Sequence, residues 1–155
     1  MTLQDAKIIP KLIQIPDNFQ NRITILTNCE LTTSEVDIFN LSLKVVSEYI
    51  EKHDVDITGS EKFNIVFTND GSFSFFERDG NVFGAQLQLA IYNMSKIRSH
   101  NYHYIMMFFV FIEELAHYFL RIYDETLIKR KVSEMIQYVI PEFDLNNMKG
   151  MLYGI

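Results

Sequence analysis

From Tyr104 to Ile112 the chain reads YIMMFFVFI, and it passes without a turn residue into Glu113-Glu114-Leu115-Ala116-His117. Both parts therefore belong to one helix, expected from about Tyr102 to Tyr123 with a bend near Asp124. A helix that is apolar around its whole circumference belongs in the middle of a domain, so the remaining chain must wrap it. With 155 residues there is enough chain for one domain and one sizeable core. The apolar run is well short of the roughly 20 residues that span a bilayer. The N-terminus shows no basic region followed by a long apolar stretch. A cytoplasmic protein without a membrane partner is the expectation.

At about 100° per residue, Glu113, Asp124, His117, Arg121 and Glu114 fall on one stripe of this helix. Such a stripe can be the wet side of an amphipathic helix, with Glu113 and His117 as an i, i+4 pair and Arg121 pairing with Asp124 or Glu125. The apolar turns before it favour a different placement, at the floor of a cleft where the helix leaves the core. Carboxylates partly buried there are costly unless paired, hydrogen-bonded or bound to a metal.

Composition narrows the alternatives. A net charge of -6 and a pI near 5.1 argue against a general grip on nucleic acid phosphates. The single cysteine, Cys29, excludes an internal disulfide and any cysteine-based zinc cluster. Thirteen Phe and eight Tyr with no Trp point to a core built on aromatic packing.

Residues 1–21, with Pro10 and Pro16, read as an N-terminal arm, and 22–155 as the single domain. Arg22 to Leu26 reads as a strand. Thr32-x-x-Glu35 is a capping-box pattern opening a helix whose Val36, Phe39, Leu43, Val46 and Ile50 share one face; it should end near His53. Phe63 to Thr68 alternates as a strand does. Ser72 to Arg78 and Val82 to Tyr92 flank Asp79-Gly80, a hairpin signal. In the second of these strands Ala85, Leu87, Leu89 and Ile91 should face one way, and Gln86 and Gln88 the other. After the long helix, Ile128, Val132, Met135 and Val139 mark a final amphipathic helix ended by Pro141. The expected fold class is α+β: a small twisted mixed sheet with a β-hairpin, packed against a long central helix and two further helices.

The spacing at the helix end carries chemistry. Side chains at i and i+4 can grip one ion, and a carboxylate at i+1 can reach a water beside it. Glu113-Glu114-Leu115-Ala116-His117 resembles the H-E-x-x-H motif with its first His replaced by Glu. The order of elements over residues 22–140 is similar to that of compact, glutamate-type zincin-like metallopeptidases. The resemblance implies a zincin-like fold, His117 as a metal ligand, Glu114 as the base that activates water, and a peptide or protein substrate along the strand 84–92. It also implies a third ligand from the following helix, for which Glu125, Asp124 and Glu134 are candidates. A Glu113/His117/Glu125 set is more anionic than the usual one. It would tilt the site toward manganese or iron as well as zinc and weaken the ion as a Lewis acid. The expectation is thus an altered hydrolase, or a vestigial site holding no metal.

Two rivals stand beside this. Glu114-x-x-His117 matches half of a di-iron bundle motif, which needs a second copy and four long helices. A catalytically inactive binding or regulatory protein on the same fold, such as a small intracellular partner, needs no metal. His103 lies on the stripe but too far upstream, and His53 and His100 sit at element ends.

Overall fold

The computed structural model describes residues 2–3, 7–8, 13–59, 62–73, 75–76, 88–144 and 146. Its elements follow the order β1 (Thr2–Leu3), β2 (Lys7–Ile8), β3 (Ile23–Thr27), α1 (Thr33–Lys52), β4 (Phe63–Thr68), β5 (Phe75–Phe76), β6 (Gln88–Asn93), α2 (Met94–Arg98), α3 (His103–Leu120) and α4 (Glu125–Gln137). Among the described residues the architecture is α+β, with four α-helices, a four-stranded sheet and a separate two-stranded pairing. The turn at Asp79-Gly80, most of the strand expected from Val82, and the tail from 147 lie outside the described residues.

Strands β3, β4 and β6 run parallel in that order, with Ile25 beside Ile65 and Ile65 beside Ala90. The short β2 adds to β3 antiparallel, and β5 pairs antiparallel with β1 outside this sheet. Parallel neighbours need a crossover, and α1 supplies it between β3 and β4. The capping box forms as expected: Glu35 N donates to Thr32 Oγ1 at 3.2 Å, and Thr32 N donates to Glu35 Oε2 at 2.9 Å. All five apolar positions of the α1 stripe are buried. Each such side chain contributes roughly 1.5–3 kcal/mol on leaving water.

In β6 the inward face is the opposite of the expected one. Ala90 and Tyr92 are buried, while Ile91 remains 39% exposed and Leu89 is half-buried. Tyr92 wins because its ring completes an aromatic cluster. It lies 4.6 Å from Phe111 and 5.3 Å from Phe67, and Phe39 meets both phenylalanines edge-on. A second cluster closes the other end of α3, where Phe119 stacks on Phe19 at 4.3 Å and Tyr118 on Phe63 at 4.1 Å. Phe19 comes from the segment expected as an arm, and it is fully buried. Edge-on and stacked pairs of this kind add about 0.5–1.5 kcal/mol beyond burial. The two clusters hold α3 rigidly on either side of Glu113–His117.

By length and composition α3 is apolar enough to cross a membrane; in this structure it packs against α1 and α4. Its burial is not uniform. Met107, Phe108, Phe109, Phe111 and Ile112 are buried, but Tyr104 and Ile105 in the first turn are exposed, so the greasy run is wrapped from its second turn onward.

Candidate metal centre

The expected helix is three residues too long. It stops at Leu120 because Arg121 takes the left-handed conformation (φ 53°, ψ 38°), which ends a helix by turning the chain away. Arg121 and Asp124 therefore leave the stripe on which a continuous helix would place them. Asp124 instead caps α4, accepting from Leu127 N at 2.7 Å. Glu134, another candidate ligand, accepts from Lys131 Nζ at 2.9 Å and from the Tyr49 hydroxyl at 3.4 Å. Of the three candidates for the third position, the turn brings Glu125 back toward α3.

One ligand atom each from Glu113, His117 and Glu125 lies within 4.8 Å of the others. Nε2 of His117 is 3.7 Å from Oε1 of Glu125. Tetrahedral bonds of about 2.0–2.1 Å place neighbouring ligand atoms about 3.3 Å apart, so a small rotamer adjustment closes this set around an ion. The imidazole is oriented for it. Nδ1 lies 2.6 Å from the carbonyl oxygen of Ile122. A carbonyl only accepts, so Nδ1 carries the proton and, in the neutral ring, Nε2 presents its lone pair to Glu125. Outer hydrogen bonds of this type fix the tautomer of metal-ligating histidines. The set of two carboxylates and one imidazole nitrogen, all within 4.8 Å of one another, fits a divalent cation.

The carboxylates bear the mark of confinement. Burial pushes the Glu113 carboxyl above the usual range, and repulsion from Glu114 and Glu125 adds to it, while Lys129 in the second turn of α4 and His117 pull it back. Burial likewise raises Glu114, with Glu125 adding and His117 opposing. Tyr92, fully buried behind them, is held well above the ordinary phenol range by burial and by both glutamates; its hydroxyl donates to the Phe111 carbonyl at 3.4 Å. The centre opens to solvent on one side: the Glu125 side chain is 68% exposed, that of His117 only 19%.

Spacing singles out Glu113, Glu114 and His117, and leaves Glu125 as one of three candidates beside Asp124 and Glu134; it does not point to Ile122, Lys129 or Tyr92. The Ile122 contribution is a main-chain carbonyl, which carries no residue-type signal, and Tyr92 lies on the face of its strand that the alternation marks as polar. His103 begins α3, about four turns before His117, with its ring tilted against that of Tyr104 at 4.1 Å. His53 caps α1, and His100 accepts from Tyr102 N at 3.2 Å. No family model, curated protein or solved structure shows a significant match to the chain.

Proposed function

We propose that Glu113, His117 and Glu125 hold a divalent cation, and that the chain is a metal-dependent hydrolase of zincin-like type with an altered ligand set. The observation that carries this reading is the His117 imidazole, held by the Ile122 carbonyl so that Nε2 lies 3.7 Å from Glu125, in a cluster that also includes a Glu113 ligand atom. A bound cation would supply Lewis acidity toward a carbonyl of a peptide-like substrate.

The chain's own residues do the rest. Glu114 follows Glu113 on the helix, so it would stand to the side of an ion held by the set and could accept a proton there. Its raised pKa makes it a stronger proton acceptor near neutrality than an ordinary glutamate. The tyrosine and phenylalanine rings behind it keep water away from its far side. Manganese or iron suits a carboxylate-rich set as well as zinc does.

A second reading, an inactive regulatory module that retains the site, is favoured by Glu113 itself. Two carboxylates neutralise the charge of a divalent ion and blunt its Lewis acidity. Elemental analysis of untagged protein, after incubation with Zn²⁺, Mn²⁺ or Fe²⁺, tests the centre. One equivalent of metal in the wild type, lost in His117→Ala and Glu113→Ala, is expected; a metal-free wild type removes both readings of the site.

A further inference from the structure

The end of α3 remote from Glu113 presents a different surface. Ile38 of α1, Ile105 and Phe108 of α3, Ile136 of α4, and Ile140 and Phe143 beyond it line a groove of about 400 Å³. Its rim is open: Tyr104 keeps 50% of its surface exposed, Ile105 39% and Ile140 38%. Tyr102 and Val139, close to these residues in sequence, are exposed as well. Apolar surface gathered in this way marks a contact site rather than an ordinary solvated face.

Charge and shape select the occupant. The charged residues lining the groove, among those described, are Glu142 and Asp144, both acidic. A second copy packed symmetrically through this groove would bring two acidic rims into one interface and supply no cation to either, on chains that each carry a net charge of -6. A small ligand is normally enclosed over most of its surface; here Phe108, Ile136 and Phe143 form a buried floor, but Tyr104, Ile105 and Ile140 leave the rim open. An apolar ridge with a cationic end meets both conditions. We propose that the groove docks an amphipathic helix of a partner protein, with apolar residues at i, i+3, i+4 and i+7 and a Lys or Arg at the end that meets Glu142 and Asp144.

The test uses the full chain and a designed, fluorescein-labelled amphipathic peptide of about four turns, with Leu at the stated spacing and Lys at one end. Two companions serve as controls: one with the Leu positions scrambled, one with Glu in place of Lys. Fluorescence anisotropy in low salt should show saturable binding of the first peptide alone. Ile105→Asp and Ile140→Asp, both at exposed positions, should each weaken it about tenfold or more. The double variant Glu142→Lys/Asp144→Lys should weaken it about fivefold and bind the Glu-ended peptide in its place. Equal binding of the scrambled peptide, or indifference to these variants, overturns the proposal. So does concentration-dependent dimerisation abolished by Ile105→Asp without peptide binding, which assigns the groove to a second copy. Uptake of a small apolar dye that no peptide displaces assigns it to a small ligand and overturns the proposal equally.

Discussion

Ile122 lies five residues past His117 and beyond the end of α3, yet its carbonyl oxygen sits 2.6 Å from Nδ1 of that histidine. The contact exists because Arg121 turns the chain back on itself, and the same turn delivers Glu125 to the other ring nitrogen. One backbone reversal thus orients a ligand and supplies its neighbour.

Metal loading should therefore stabilise the fold. At a free ion concentration about 100 times Kd the gain is about 2.7 kcal/mol, a rise in Tm of about 5–10 °C for a chain of this size. Differential scanning fluorimetry with and without EDTA measures it. His117→Ala and Glu113→Ala should show no rise, and Glu125→Ala, at the exposed side of the set, a smaller one.

Without metal, the same carboxylates should cost stability at neutral pH. Glu113 and Glu114 have native pKa values above their unfolded ones. Between those values the native state binds more protons than the unfolded state, so stability falls as pH rises and recovers as pH drops toward about 4.5. The Tm of metal-free protein should increase from pH 7.5 to pH 5. Glu113→Gln should raise it at pH 7.5 by about 2–4 °C and flatten that slope. A lower Tm for this variant in metal-free buffer contradicts the idea.

Glu35 runs the other way. Burial opposes its ionisation, but hydrogen bonds from Arg98 at 2.7 and 2.8 Å, one from Thr32 N and the Arg98 charge outweigh that and lower its pKa. Its contribution is complete above about pH 4.5 and disappears as pH falls through the lower native value. Arg98 also donates to the Glu30 carbonyl at 2.7 Å. Arg98→Ala leaves a buried carboxylate unpaired and should cost about 3 kcal/mol at pH 7. A double-mutant cycle with Glu35→Gln, read by urea denaturation, should return a coupling above about 1 kcal/mol.

Arg121→Gly tests the turn. A side chain in the left-handed region costs about 1–2 kcal/mol that glycine does not. The substitution loses part of this gain to the freer unfolded chain. A net stabilisation of about 0.5–1 kcal/mol is expected with metal stoichiometry unchanged, as measured by denaturation and elemental analysis together.

The elements that read correctly are those whose signals are local. The Thr32–Glu35 box, the apolar stripe of α1 and the strand Phe63–Thr68 each depend on residues within a few positions of one another. The end of α3 was misplaced because no glycine marks it; an arginine occupies the position where glycine is favoured. That misplacement kept Asp124 on the motif stripe and left the third ligand undecided among Asp124, Glu125 and Glu134. The face of β6 was misread because alternation counts Leu89 and Ile91 as the apolar pair, whereas Tyr92 is drawn inward by Phe67 and Phe111 from distant elements. Spacing on one helix can bring Glu113 and His117 together; only the fold can say what returns to meet them.

The parallel register of the sheet has a kinetic side. Ile23 pairs with Phe63 across forty positions of chain, with the whole of α1 between them. Local contacts alone cannot nucleate such a pairing, and chains dominated by distant partners fold slowly. During synthesis β3 therefore has only the two-residue β2 beside it until α1 and β4 have emerged, and over that interval its other edge is open to whatever else is nearby, a chaperone or another nascent chain.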